Sequence, residues 1–339
     1  MKMKKSRSLL LYLMGPILLG VLLYVYAERW LRALILYLSH ASWARQLVTG
    51  FSPAWFVASR FVAGETIDDA MRVTAELNRQ GLLATLDYLG ESVTDPHEAR
   101  KARDEILQIL DAIQSHGLDA GVSVKLTQLG VAIDPDLAFD NMQCILERAS
   151  QLNLFVRIDM EESAFVDTTL GLHDKLREEY GTDTTGVVIQ AYLYRSEADV
   201  QALIEDGASV RLCKGAYMEP PEVAFPQKKD TDANFIRLMK MLLGPHARKN
   251  GVHAAIATHD EAMVNATVEF AQKATLPRDE FEMQMLFGVR RELQSRLAAQ
   301  GYRVRVYVPY GTAWYPYLMR RLAERPANLW FFMSNLVRH

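Results

Sequence analysis

An α/β fold closed into a (β/α)8 barrel is predicted by three observations. Eight short, strongly apolar segments recur between residues 82 and 308. The stretches between them are long enough for a helix each, and several carry apolar residues at helical spacing. Near-continuous apolar strands alternating with amphipathic helices imply a parallel sheet covered by helices, and eight such units in roughly 250 residues suit a closed barrel better than an open sheet.

The chain begins with a basic stretch, Met1 to Arg7, followed by nineteen uncharged residues from Leu9 to Ala27. That length matches a membrane-spanning helix of roughly 20 residues, with tyrosines near both margins. No small-residue exit precedes Glu28-Arg29, so an uncleaved anchor is favoured over a signal peptide, with a buried or interface-lying helix as the other reading. Residues 29–60 read as an amphipathic helical lead-in, with Leu31, Leu34, Ile35 and Leu38 at helical spacing. The catalytic domain is expected over 61–339. Its first helix is Asp68–Gln80, ended by Gly81. The expected strands are Leu82–Leu86, Val122–Leu126, Leu154–Met160, Val187–Tyr192, Ser209–Leu212, Ala254–Thr258, Phe281–Leu286 and Val304–Val308. Between them the helices Ala99–Ser115, Asp136–Gln151, Ser196–Glu205, Asp230–Leu243, Glu261–Ala271 and Gly288–Ala299 can be named, and Trp314–Arg325 follows the last strand.

Bulk properties narrow the function classes. The 339 residues are 50% apolar and 23% charged, enough for a sizeable core, and the formal charge of -3 argues against a general nucleic-acid binder. The two cysteines, Cys144 and Cys213, make no disulfide framework. No metal-ligand spacing, phosphate-binding glycine loop or dinucleotide fingerprint is present.

In a barrel of this kind, chemistry belongs at the C-terminal ends of the strands. Those ends carry Asp87 and Glu91, Lys125, Arg157-Ile158-Asp159-Met160-Glu161, Gln190 and Tyr192, Arg211-Leu212-Cys213-Lys214-Gly215-Ala216-Tyr217, Thr258-His259-Asp260, Gln284 in the seventh strand, and Tyr307. Lys125, Arg211, Lys214, Arg320 and Arg321 form an excess of cations suited to an anionic ligand, since arginine forks bind carboxylates or phosphates bidentately. Salt bridging offers a plainer account: Arg211 and Lys214 could pair with carboxylates at the strand ends, and Glu324 could pair with Arg320 and Arg321 along one helix. Residue chemistry alone reaches a barrel enzyme acting on a small acid and does not identify a redox reaction.

These motifs together resemble the proline dehydrogenase family in its monofunctional bacterial form. The resemblance extends from about Phe61 to Asn328 and rests on the order and spacing of Leu86-Asp87-Tyr88-Leu89-Gly90-Glu91, Ser123-Val124-Lys125-Leu126-Thr127, the Arg157 and Arg211 motifs, and Tyr310-Gly311 through Tyr317 to Arg320-Arg321-Leu322-Ala323-Glu324. It implies a distorted barrel with the final helix over its C-terminal mouth, and non-covalently bound FAD. The implied reaction is oxidation of L-proline to delta-1-pyrroline-5-carboxylate, the first step of proline catabolism to glutamate, by hydride transfer from C5, with electrons passed to membrane quinone. By the same resemblance Lys125, Arg320 and Arg321 clamp the substrate carboxylate, Glu91 pairs with Arg320, and Tyr307, Tyr317 and Leu286 shape the ring pocket. Asp159 stands near flavin and substrate, and Arg211 donates to flavin N5. Gln190, Lys214, Gly215 and Ala216 are implied as further cofactor contacts, with Cys213 and Tyr217 of the same stretch beside them. Thr258, His259 and Glu324 are implied toward the ribityl, phosphate or adenosine parts. Cys213 replaces the valine common in the family, and Tyr217-Met218 differs from the tyrosine-tryptophan of large bifunctional relatives.

The expected partners are therefore L-proline, membrane quinone and, through the N-terminal segment, membrane lipid, with no nucleic acid. The charges flanking Leu9–Ala27 slightly favour an N-terminus inside the cell, which for a single span would put the domain outside; the family's function argues instead for an inner-membrane protein with its catalytic domain on the cytoplasmic face. Two other classes remain: a Schiff-base lyase using Lys125 or Lys214, and a non-catalytic membrane-associated binding protein.

Overall fold

The computed structural model describes residues 52–324 together with a few positions between 35 and 48. The described residues divide into two compact units. One comprises those up to Arg60 and from Ala313 onward, the other Phe61–Thr312.

The larger unit holds eight strands, β1 (Leu83–Tyr88), β2 (Ala120–Val124), β3 (Val156–Ile158), β4 (Thr185–Gln190), β5 (Ser209–Cys213), β6 (His253–Ala257), β7 (Phe281–Leu286) and β8 (Arg303–Tyr310). Each pairs in parallel with the next, and β8 closes onto β1 with Thr85 opposite Tyr307. The predicted closed barrel is present, with strands that range from three residues in β3 to eight in β8.

Alternation divides every strand into two faces. Val122, Val124, Val156, Ile158, Val187, Ile189, Val210, Leu212, Ile256, Met283 and Val306 are buried and belong to one continuous apolar core with residues of the helices. The helices begin and end where local chemistry dictates. In α3 (Pro96–His116), Asp95 accepts a hydrogen bond from the His97 N–H, Pro96 opens the first turn, and Gly117 at φ 60° ends it. In α4 (Pro135–Leu152), Asp134 and Asn153 play the corresponding parts. Helix α2 (Ile67–Arg79) precedes β1, and α1 (Ser52–Ala58) belongs to the smaller unit.

One connector was not named from sequence: α5 (Val166–Tyr180), between β3 and β4. Its buried stripe mixes Val166, Leu172 and Leu176 with Thr169 and His173, which blurs the apolar period. The remaining helices are α6 (Ser196–Glu205), α7 (Lys228–Leu242), α8 (Pro245–Lys249), α9 (Glu261–Lys273), α10 (Arg291–Ala299) and α11 (Trp314–Glu324). The expected start of α10 at Gly288 moves to Arg291, because Gly288 and Arg290 take left-handed conformations at φ 76° and 52°. Within the smaller unit α1 and α11 meet through Trp55 and Trp314, whose ring centroids lie 5.4 Å apart, edge to face.

The apolar run Leu9–Ala27 lies outside the described residues. Among the described residues no helix is long and apolar enough to cross a membrane. This corrects the expected inner-membrane location and the expected partners membrane lipid and membrane quinone, for which no described helix supplies an anchor. The physical reason is visible in α3, which at 21 residues has the length but carries Glu98, Arg100, Lys101, Arg103, Asp104, Glu105 and Asp111.

Candidate active site

The second face of each strand points into the barrel, and in six of the eight strands it is polar. Polar residues stand two apart at Thr85 and Asp87, Ser123 and Lys125, Arg157 and Asp159, Ser209 and Arg211, Glu282 and Gln284, and Arg305 and Tyr307. Hydrogen bonds between strands that are not neighbours place these groups in the interior. Arg211 of β5 donates through Nε to Gln284 Oε1 of β7 at 2.6 Å, and through Nη1 to Ser123 Oγ of β2 at 3.1 Å.

Toward the N-terminal side, Arg157 donates to the Val187 and Ser209 carbonyls at 3.1 and 2.6 Å and to Ser209 Oγ at 3.0 Å. Gly186 makes room for it, since a Cβ there would stand 2.5 Å from the guanidinium. Glu282 accepts from Arg305 at 2.8 Å. Burial opposes the Glu282 charge, but Arg305 wins and holds its carboxyl well below the usual range. This layer is a hydrogen-bonded floor in which the buried Arg157 Nε has no partner among the described residues.

Above it, at the C-terminal strand ends, lies a second and denser cluster. Lys125 donates to Asp87 Oδ1 at 2.7 Å and to the Tyr307 hydroxyl at 3.1 Å, and its ammonium stands 3.5 Å from Asp159 Oδ2. Tyr307 donates onward to Asp159 Oδ2 at 2.7 Å, and Arg211 Nη1 reaches Asp159 Oδ1 at 2.8 Å. The Arg211 guanidinium also stands 5.4 Å from the Tyr307 ring centroid, within cation–π range. Burial works against the Lys125 charge, but Asp87, Tyr307 and Asp159 overcome it and hold the ammonium well above the ordinary lysine value. Burial, Asp159 and Asp87 push the Tyr307 phenol well above its usual value, so it remains a donor.

The other expected contacts fall around this cluster. Gln190 Nε2 donates to the Met160 carbonyl at 3.1 Å, and its buried Oε1 has no partner among the described residues. Pairing of β4 with β5 continues past the strands, with Ala191 N–H to the Cys213 carbonyl and Tyr192 N–H to that of Lys214. Gly215 sits at φ 105°, and a Cβ there would come within 2.3 Å of the Tyr192 ring. Ala216 is exposed and Tyr217 half-buried. The Cys213 thiol is pushed up to about 11 by burial, which keeps it protonated and unreactive at neutral pH.

Lys214 turns toward a different set of charges. It bridges Asp232 at 2.5 Å and Asp260 at 2.7 Å, and Lys228 contacts the same two carboxylates. Against burial, the two lysines hold Asp260 well below the carboxylate range. His259 Nε2 accepts the Leu286 N–H at 2.8 Å, and Thr258 Oγ1 accepts the Asp260 N–H at 3.1 Å. Glu91 lies in the loop after β1. Tyr317, Arg320, Arg321 and Glu324 lie on α11 in the other unit, where the Arg321 guanidinium stands 5.3 Å from the Tyr317 ring.

Lys125, Asp159, Arg211 and Tyr307, all expected at the site, thus meet in one place, and Asp87, Ser123 and Gln284, to which the sequence assigns no role, complete their contacts. The usable signal was the two-residue polar period inside strands otherwise read as apolar. The plainer account of the strand-end cations also holds in part, since Arg211 and Lys214 both pair with carboxylates.

The family profile for proline dehydrogenase matches residues 70–333. The chain belongs to the proline dehydrogenase family. Proline dehydrogenase 1 of Bacillus subtilis strain 168 is 40% identical over 311 residues, covering 91% of this chain and 99% of that protein. Proline dehydrogenase of Deinococcus radiodurans is 39% identical over 287 residues, covering 84% and 91%. Among solved structures, proline utilization A from Bdellovibrio bacteriovorus, inactivated by N-propargylglycine, superposes with a TM-score of 0.75 at 27% identity; the match covers 79% of this chain and 32% of that larger one. The larger protein thus shares this fold over the matched part.

Proposed function

We propose that the chain oxidises L-proline to delta-1-pyrroline-5-carboxylate with FAD as cofactor. The observation that carries this reading is the hydrogen-bonded group of Asp87, Lys125, Asp159, Arg211 and Tyr307 at the strand ends, in a chain of this family. One feature fits a flavin: the unpartnered Gln190 Oε1 is an acceptor for a ring N–H. When bound, FAD supplies the two-electron acceptor for the hydride that leaves C5 of proline as the C5=N bond forms.

The residues of the chain bind and orient. Lys125 offers a fixed ammonium to the substrate carboxylate, and Tyr307 is held rigid by its bonds to Lys125 and Asp159. Arg211 presents a positive charge locked by Gln284, Ser123 and Asp159. Lys125 and Arg211 face two carboxylates, so an anionic substrate calls for further cations. The family resemblance assigns that role to Arg320 and Arg321 of α11. Replacing either arginine by alanine is expected to raise the KM for proline by about tenfold to a hundredfold, the worth of one charge-assisted hydrogen bond. Unchanged proline kinetics in both variants would rule out the clamp.

A Schiff-base lyase needs a neutral lysine. Lys125 is held protonated by its neighbours, which argues against it. The deciding experiment is the visible spectrum of the purified protein under anaerobic conditions. Bleaching of a flavin band by L-proline is expected, together with loss of turnover after treatment with N-propargylglycine. A protein that cannot take up FAD would defeat the reading.

A further inference from the structure

Glu161 is 4% exposed, lies just beyond β3 and touches none of the cluster residues by hydrogen bond. Both of its oxygens go to one residue. Oε1 accepts the Thr127 N–H at 3.0 Å, and Oε2 accepts the Thr127 hydroxyl in a short bond. Thr127 is itself buried, two residues beyond Lys125, and faces the loop that follows β1. Its Oγ1 accepts the Ser92 N–H at 3.2 Å and its carbonyl accepts the Val93 N–H, also at 3.2 Å. Ser92 is held at φ 55°, a conformation that a serine adopts at a cost and keeps when its surroundings impose it. The residue before it is Glu91.

We propose that Glu161 is a positioning residue: acting through Thr127, it holds the 91–93 loop, and with it Glu91, in place beside the end of β2. The logic is that of a single proton. A threonine hydroxyl has one to give and lone pairs to receive. Its proton is committed to the Glu161 carboxylate, so its lone pairs remain for the Ser92 N–H. A carboxylic acid or an amide at 161 would donate to the same oxygen instead, and the hydroxyl proton would need a new acceptor in a buried site.

The charges around Glu161 make this balance sensitive. Burial raises its carboxyl to about 7, the Thr127 hydrogen bonds and the Lys125 ammonium lower it, and the Glu91 carboxylate raises it. Glu91 from the loop and Lys125 from the end of β2 are thus the charged groups that bear on it, with opposite sign. The same residue that Glu161 helps to position is the one whose charge opposes it.

This inference rests on the proline reading for its kinetic consequence but not for its structural one. Amide hydrogen exchange of the peptide covering residues 89–95 needs no substrate, so the two readings fail separately. Glu161→Gln and Thr127→Val are expected to speed exchange there by about tenfold, the worth of a hydrogen bond to a charged group, with the strand peptides of the barrel unchanged. Thr127→Ser keeps the hydroxyl and is expected to exchange like the parent. In turnover, both loosening variants should raise the KM for proline more than they lower kcat, and Thr127→Ser should restore the parent values. Parent-like exchange at 89–95 in both variants overturns the proposal. So does a general rise across the barrel peptides in Glu161→Gln and Thr127→Val alike, because it assigns the pair to stability instead of to the loop.

Discussion

Lys125→Met is expected to lower proline turnover by about a hundredfold or more, the typical loss for a preorganised charged donor, and to destabilise the barrel by roughly 3–5 kcal/mol. The stability loss comes from Asp87. It is 2% exposed, and its bond to Lys125 at 2.7 Å is the main contact that offsets its burial. Removing one partner of a buried pair leaves the other charge uncompensated. For a unit of about this size, 1 kcal/mol moves Tm by roughly 2–4 °C, so a fall of about 6–20 °C is expected by thermal unfolding. Because Lys125 is held well above the ordinary lysine value, its contribution is complete below that value and is lost as pH rises through the folded one. The lysine's own contribution should therefore stay constant from pH 6 to 9, a range chosen to lie below the lysine transition. Burial raises the Asp87 carboxyl and loss of Lys125 raises it further, so the variant should regain stability as pH falls through that carboxyl's value. Adding Asp87→Leu removes the orphaned carboxylate and should recover much of the Tm without recovering turnover. Recovery of both would show that Lys125 acts through stability alone.

Arg211→Met is the second large effect. Arg211 spans three other strands through Gln284, Ser123 and Asp159, and stands on the Tyr307 ring. In the proposed function its fixed positive charge favours the reduced cofactor, so kcat should fall by about 10²–10³ and the flavin midpoint potential should move negative. Arg211→Lys keeps the charge but presents a point ammonium in place of a planar fork, and cannot satisfy three partners in different directions. It should retain more of the potential than of the rate. An unchanged potential in Arg211→Met, with kcat within about fivefold of the parent, would reduce Arg211 to a structural brace.

How far such residues were legible differs case by case. Lys125 and Arg211 stand out because cations at the ends of apolar strands break a simple pattern. Asp87 was visible as a strand-end carboxylate, but nothing local assigns it to Lys125. Glu161 was read within its motif, and its bidentate hold on Thr127 depends on how two successive strand ends face each other. Helix α5 lacks a clear apolar period because polar Thr169 and His173 occupy its buried face. The apolar N-terminal run invited an anchor and membrane partners that no described helix supports.

By itself the sequence determined the alternation of eight strands with helices, the polar strand ends and the family, because these follow from local composition and the order of motifs. The tertiary structure decided which charges meet. Lys125 and Asp87 are 38 residues apart, Arg211 and Gln284 are 73 apart, and Tyr307 and Asp159 are 148 apart. Those pairings depend on register and on closure of the sheet, where a shift of one residue would turn every polar side chain from the interior into the apolar layer. Closure also gives the cations near Arg211 and Lys214 separate duties: Arg211 faces the interior with Asp159, while Lys214 joins Asp232 and Asp260.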